Sequence, residues 1–139
     1  MSEALTACRR AYAAYSAGDL EQLMELFDPD VEVVVAPPNF EAGTYRGHAE
    51  YQALLARWGS AWDEMHIEPR ELRAEGEWVL ALVDYRGRGT GSAVEVSQPS
   101  WEVSLWQGGR CVRYEVYWDQ EAGEAAFARR AADSAQRQD

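Results

Sequence analysis

The order of elements in the chain predicts an α+β domain, with helices first, an antiparallel meander after them and a closing helix. Three observations carry this expectation. Apolar residues recur at helical spacing before residue 28 and again after Gly47. The stretch from Glu64 to Asp119 instead alternates with the period of strands and is cut by glycine-rich turns. No strand–helix–strand unit interrupts that stretch, so a doubly wound parallel sheet is not expected. At 139 residues the chain is long enough for one domain, spanning 1–139, with a core of its own.

Leu5, Cys8, Tyr12 and Tyr15 share one face of a first helix that stops near Gly18. Asp19 stands where it can cap a second helix, with Gln22 three residues on as its capping-box partner. Leu20, Leu23, Met24 and Phe27 form the apolar stripe of that helix, and Pro29 ends it. Val31 to Val35 is too β-branched and too uniformly apolar for anything but a strand. Pro37-Pro38-Asn39 makes a loop. A third helix follows Gly47, where Tyr51, Leu54, Leu55, Trp58, Ala61 and Trp62 fall at i, i+3, i+4, i+7, i+10 and i+11 and give it an aromatic buried face. Strands are expected over Glu64–Leu72, Trp78–Arg86, Val94–Trp106 and Cys111–Asp119. Glu75-Gly76, the Arg86-Gly87-Arg88-Gly89-Thr90-Gly91 run and Gln107-Gly108-Gly109 separate them. Glu121 to Ala132 forms a short, alanine-rich closing helix.

Composition excludes several functions. Thirteen basic residues against twenty-four acidic ones give a net charge of −11, which repels a phosphate backbone and makes nucleic acid an unexpected partner. No apolar run approaches the ~20 residues of a membrane helix, and the first residues lack the basic-then-apolar order of a signal peptide. Cys8 and Cys111 lie in no recognised spacing and are expected as reduced thiols, consistent with a cytoplasmic protein. His48 and His66 have no ligand-like spacing, so neither a metal nor another cofactor is expected. Arg86-Gly87-Arg88-Gly89 is not a phosphate-binding loop and reads as a flexible hairpin end.

Two segments resemble a known family. The helix leading into Ala17-Gly18-Asp19-Leu20, then Leu23 to Phe27, then Asp28-Pro29-Asp30 and the valine strand, is similar to the opening of proteins with the nuclear transport factor 2-like (NTF2-like) fold. Gly109-Arg110-Cys111-Val112-Arg113-Tyr114-Glu115-Val116-Tyr117-Trp118-Asp119 is similar to the SnoaL-like members of that superfamily. The resemblance runs from about Leu5 to Phe127, and departs from the family where Gly123 stands in place of a common leucine. It implies a cone: three N-terminal helices packed on a curved, mostly antiparallel sheet, with a cup between them for a hydrophobic small molecule. Laid on ketosteroid isomerases, the resemblance puts Ala11, Val35 and Trp101 where those enzymes carry a tyrosine and two aspartates. The usual isomerase mechanism is therefore not expected.

Strand parity sorts the remaining candidates. Trp78, Leu80, Leu82, Asp84 and Arg86 share one face; Trp101, Val103 and Leu105 oppose Glu102, Ser104 and Trp106; Tyr114, Val116 and Trp118 oppose Glu115 and Tyr117. The resemblance turns Trp101, Tyr114 and Trp118 into the cup. Substrate-binding residues are then expected at Tyr15, Val35, Trp58, Trp62, Leu82, Trp101, Tyr114 and Trp118. Two acids are candidate proton carriers. Asp119 stands where SnoaL-like cyclases place an acid-base aspartate, and it also fits a helix N-cap. Asp84 shares a face with leucines, so it is either aimed at an apolar interior or paired with an arginine at the rim. Glu102 is expected to point outward. The implied function is acid-base catalysis on a hydrophobic, aromatic or polyketide-like molecule, by a cyclase, isomerase or hydratase/hydrolase. The alternatives are a non-catalytic carrier of such a molecule, or a protein-interaction module using the sheet face. Trp106 and Tyr117, opposite the cup, suggest a homodimer through the sheet's outer face.

Overall fold

A computed structural model describes residues 2–39, 41–60, 62–89, 91 and 94–137, with the side chains of 62–64 and 137 left outside the description. Three helices and a six-stranded sheet form the cone, and a fourth helix closes the chain. The helices are α1 (Glu3–Ser16), α2 (Leu20–Glu25), α3 (Gly47–Ser60) and α4 (Gln120–Arg137). The strands are β1 (Phe27–Val35), β2 (Gly43–Arg46), β3 (Trp62–Glu75), β4 (Trp78–Gly89), β5 (Glu95–Gln107) and β6 (Arg110–Tyr117). They lie in the order β2-β1-β6-β5-β4-β3, with β1 parallel to β6 and every other pair antiparallel. No described helix is long and apolar enough to cross a membrane.

Local chemistry accounts for the boundaries. Ser2 caps α1 by accepting from the Leu5 amide at 3.2 Å. Gly18, at φ +72°, ends the turn that follows α1, and Asp19 caps α2 by accepting from the Gln22 amide at 3.1 Å. Helix α2 stops at Glu25, so Phe27 is not part of its stripe but the first residue of β1. The short strand β2 and its pairing with β1 were not foreseen from sequence. Helix α3 ends at Ser60, and Trp62 opens β3 opposite Gly89. Arg86 to Gly89 is no loose hairpin end; it continues β4.

The register of the sheet's last hairpin decides which side chains enter the cup. Gln107 pairs with Arg110 across Gly108-Gly109, both at positive φ, as a two-residue hairpin turn prefers. Trp106 pairs with Cys111, but Leu105 pairs with Arg113, so Val112 is an extra residue on β6. A one-residue bulge of this kind flips every side chain beyond it to the other face. As a result Glu102, Ser104 and Trp106 face α1–α3, together with Cys111, Tyr114 and Val116. Trp101, Val103 and Leu105 face the opposite way. The resemblance puts Trp101 on the side of Tyr114, but the bulge sets Glu102 on that side and Trp101 on the other, so the expectation for both is inverted.

Both faces of the sheet are therefore covered. Helices α1, α2 and α3 bury one face around Cys8, Leu23, Phe27, Val31, Val33, Tyr51, Leu54 and Trp106. Helix α4, longer than expected, covers Trp78, Leu80 and Val103 on the other with Ala126 and Phe127. Glu115, fully buried on this outer face, is held by Arg113, by Arg130 of α4 at 2.9 Å and by the Tyr117 hydroxyl at 2.7 Å. Burial alone would raise its pKa, but the hydrogen bonds from Arg113 and Tyr117 and the charge of Arg130 hold it below the ordinary carboxylate value.

Gly123 is the point of closest approach of α4 to the sheet. A Cβ built there would lie 2.3 Å from the Cβ of Trp101, an atom fixed to the backbone that cannot swing aside. A leucine at this position would push α4 off the sheet, which explains the departure from the family pattern. Replacing Gly123 by Ala should lower stability by about 1–3 kcal/mol through overpacking, even though Ala is the better helix former by ~1 kcal/mol. The midpoint of urea unfolding measures this. A midpoint equal to or above that of the parent chain would show that α4 does not seat on Trp101.

Candidate functional site

Tyrosines ring an apolar cavity between the helices and the inner sheet face. Its walls come from α1 (Cys8, Ala11, Tyr12, Tyr15), α3 (Tyr51, Leu54, Leu55, Trp58) and the sheet (Phe27, Val33, Val35, Ile67, Tyr85, Ser104, Trp106, Cys111, Tyr114, Val116), with Leu23 from α2. The space amounts to about 730 Å³ when the gaps between wall atoms and the opening to solvent are counted. Aromatic contacts stiffen the walls. Phe27 stacks on Tyr51 at 4.8 Å between ring centroids and meets Tyr114 edge-on at 5.9 Å. Trp58 stacks on Trp118 at 5.6 Å, and Trp118 is fixed by donating its indole N–H to the Ala36 carbonyl at 2.9 Å.

Beneath the sheet-side tyrosines lies Glu102, which is 1 % exposed. Its Oε1 accepts from the hydroxyls of Tyr12, at 2.6 Å, and Tyr114. Its Oε2 accepts from Tyr85 at 2.5 Å and from Ser100 at 2.8 Å. Four donors fill the four lone-pair positions of a carboxylate, so a buried charge is fully satisfied without any basic side chain among its hydrogen-bond donors. This residue was expected to point outward; the bulge turns it inward. The acid of the cup stands one residue from Trp101, where the isomerase resemblance had placed a missing aspartate. One sequence signal could have found it. Trp101, Val103 and Leu105 form an apolar side of β5 that needs a cover, and only the closing helix with its glycine offers one.

The expected site residues divide between the two faces. Tyr15, Val35, Trp58 and Tyr114 line the cavity, and Trp118 packs behind Trp58. Leu82 and Trp101 do not; they border a small recess on the outer face with Arg73, Gln120 and Glu124. The side chain of Trp62 lies outside the described residues. Asp84 shares the outer face of β4 with Leu80 and Leu82, and it pairs with Arg70 and, at 3.8 Å, with Arg86. The apolar interior it was expected to enter is the layer under α4 and not the cup. Asp119 is exposed and caps α4, accepting from the Ala122 amide at 2.8 Å. Trp106, expected on the outer face, lines the cup, and Tyr117 packs in the cluster under α4. Both aromatics that suggested a sheet-face homodimer are thus used within the chain. His48 bonds the Phe27 carbonyl at 2.7 Å, and no cluster of potential metal ligands occurs among the described residues.

Burial and the Glu102 charge both oppose ionisation of the neighbouring hydroxyls. Burial first and Glu102 second push Tyr12, Tyr85 and Tyr114 well above the ordinary value of 10.0, and Tyr15 to about 12. Burial likewise pushes the Cys8 thiol to about 12 and Cys111 well above 9.0. Raised acids of this kind contribute stability that is present below their unfolded pKa and lost as pH rises, because the unfolded chain then binds fewer protons than the native one. Stability should therefore hold up to about pH 9, where unfolded thiols begin to ionise, and fall progressively through pH 10 to 12. Denaturant midpoints measured across that window, with tyrosinate absorbance from Tyr12, Tyr51, Tyr85 and Tyr114 appearing only as the chain unfolds, check the sign. Tyrosinate absorbance from all seven tyrosines near pH 10 in the folded protein would contradict it.

With this geometry in view, comparison with known proteins gives a consistent result. An uncharacterised protein of Mycobacterium tuberculosis is 31% identical over 122 residues, covering 86% of this chain and 92% of its own. An NTF2-like protein of unknown function from Burkholderia pseudomallei superposes with a TM-score of 0.77 at 25% identity, over 86% of this chain and 92% of that one. TerC, co-crystallised with polyporic acid, shares the fold at a TM-score of 0.74 and 23% identity, over 91% of this chain and 99% of its own. The SnoaL-like domain model matches residues 8–114, from the first cysteine on the cup wall to the tyrosine that donates to Glu102, and the chain belongs to the SnoaL-like family of the NTF2-like fold.

Proposed function

We propose that the chain is an acid-base enzyme acting on a flat, apolar small molecule, of the cyclase, isomerase or hydratase/hydrolase type, with Glu102 as the proton acceptor. The observation that carries this is a carboxylate buried against an apolar cup and bonded to three tyrosine hydroxyls whose side chains line it. Asp84 and Asp119 lie outside the cup and have no part in the proposal.

The chemistry follows from the proton positions. A substrate held in the cup meets the hydroxyl oxygen of Tyr12, Tyr85 or Tyr114, whose proton is already shared with Glu102. When that oxygen takes a proton from an acidic C–H or O–H, its own proton moves to Glu102. The electron pair of the broken bond stays on the substrate as an enolate or phenolate. The tyrosine is neutral before and after, which matters because burial and the nearby charge make a tyrosinate costly. Reversal of the same path returns a proton to a different atom, as isomerisation requires.

2-Tetralone, a flat ketone with acidic protons beside its carbonyl, serves as the probe. In D2O the protein should accelerate deuterium exchange at C1, followed by proton NMR. Glu102→Gln should reduce exchange to background, because an amide cannot accept from four hydroxyls or take up the relayed proton. Tyr114→Phe keeps Glu102 and removes one relay, so it should slow exchange by about tenfold or more. Quenching of tryptophan fluorescence by the ketone should persist in both. Quenching without exchange in the parent protein would favour the carrier reading.

A further inference from the structure

The cup contains two kinds of tyrosine, and the difference defines the ligand it takes. The hydroxyls of Tyr12, Tyr85 and Tyr114 each give their single proton to Glu102. Toward the cavity these three hydroxyls offer only a lone pair, so they accept hydrogen bonds and cannot donate them. Tyr15 on α1 and Tyr51 on α3 also line the cavity, but their hydroxyls have no hydrogen-bond partner among the described residues. No described polar side-chain atom is both sealed from solvent and unpaired, so both hydroxyls keep contact with solvent, and both side chains line the cavity. Tyr51 is otherwise 4 % exposed, and its ring is clamped between Phe27 and Tyr114. A phenylalanine would fill the same place without leaving a hydroxyl unpaired.

Building on the acid-base reading of this cup, we propose that its ligands are neutral, flat hydroxy-ketones bound in one orientation. The ligand hydroxyl donates to the tyrosines backed by Glu102, and its carbonyl, at the other end of the ring system, accepts from Tyr15 and Tyr51. The ring body lies against Phe27 and Trp58. A molecule that has only acceptors finds no donor in the three hydroxyls bonded to Glu102 and leaves an oxygen unpaired against them. A molecule with a hydroxyl alone brings no acceptor to Tyr15 and Tyr51. Conjugation between the two ends links the chemistry to the binding. Loss of the hydroxyl proton through the tyrosine relay moves negative charge onto the carbonyl oxygen, where Tyr15 and Tyr51 donate to it.

Four probes separate these terms: 6-hydroxy-1-tetralone, its 6-methoxy analogue, 1-tetralone and 5,6,7,8-tetrahydro-2-naphthol. Affinities are read by titration calorimetry or tryptophan quenching. The hydroxy-ketone should bind about tenfold or more tighter than the methoxy-ketone, since one side of the site then has an unmade hydrogen bond. Tyr15→Phe and Tyr51→Phe should each weaken the hydroxy-ketone by about threefold to tenfold and leave the naphthol, which has no carbonyl, within about twofold of its parent value. The Phe variants keep the ring and its packing and remove no hydrogen bond to Glu102, and thermal unfolding of each variant confirms that it folds. Equal affinity for the hydroxy- and methoxy-ketones, or equal losses for ketone and naphthol in the Phe variants, would overturn the orientation while leaving the cup and its acid-base chemistry standing. Binding of none of the four at millimolar concentration, with no exchange of 2-tetralone, would remove the pocket reading itself.

Discussion

One extra residue in β6 sets the chemistry of both faces of this molecule. Val112 has no partner on β5, and the slip it causes carries Glu102 to the inner face and Trp101 to the outer. Cys111 and Tyr114, three positions apart, both line the cup because the bulge lies between them. Glu102 then lies opposite Val116, and the next pair along, Val103 and Glu115, points the other way. The two buried glutamates are thus adjacent in register and on opposite faces. Each is made tolerable by a different device. The outer one has two arginines and a tyrosine, and the inner one has four neutral hydroxyls. Burying an acid requires hydrogen bonds or countercharge, and only the inner solution sets the carboxylate against hydroxyls of side chains that line the cavity.

The outer face shows what the slip costs in freedom elsewhere. Trp101 now needs a cover, and α4 supplies it by crossing at Gly123, the residue whose missing side chain admits the indole. Ala126 and Phe127 follow against Trp78, Leu80 and Val103, and Arg130 reaches Glu115. Helix α4, the bulge and the inner carboxylate therefore belong to one arrangement. Trp101, Leu82 and Asp84 share one face, so a shift that turned Trp101 toward the cup would carry Leu82 and Asp84 with it and leave α4 without its seat.

The sequence made the elements legible and hid the register. Helical stripes at Leu5, Cys8, Tyr12, Tyr15 and at Tyr51, Leu54, Leu55, Trp58 come from covalent geometry, and so do the alternations along β4 and β5. The resemblance of two segments was enough to name the fold. What a period-two pattern cannot show is an unpaired residue, because alternation on each strand is intact on either side of a bulge. The same slip occurs at Arg70 in β3, where the pairing moves between Pro69 and Glu71. Glu102 illustrates the consequence. Its neighbours Ser100 and Ser104 make that side of β5 look solvated, although all three are buried. Polarity on a strand signals water or a polar interior, and only the rest of the fold distinguishes them. Asp84 shows the converse: leucines on its face did mark an interior, but it was the interior under α4. Gly123, a helix interior glycine with nothing else to recommend it, carried the missing information about where Trp101 goes.

Energetics give a reason to regard the cup as more than packing. A site whose only task was to hold the sheet against three helices would be better served by aliphatic and phenylalanine side chains. Replacing a buried charge and its partners with apolar residues of similar size is often neutral or stabilising. This chain instead keeps a carboxylate at the centre of its inner face, together with three tyrosines that must order their hydroxyls to satisfy it. It also keeps two more hydroxyls, on Tyr15 and Tyr51, that satisfy nothing in the protein. Neither feature adds to the hydrophobic driving force, and both limit how completely the cavity can collapse. They make sense together if the cavity is meant to be filled by something that brings its own hydroxyl and its own carbonyl. The unpaired donors, the spent donors and the carboxylate behind them are then the three parts of one polar design inside an apolar cup.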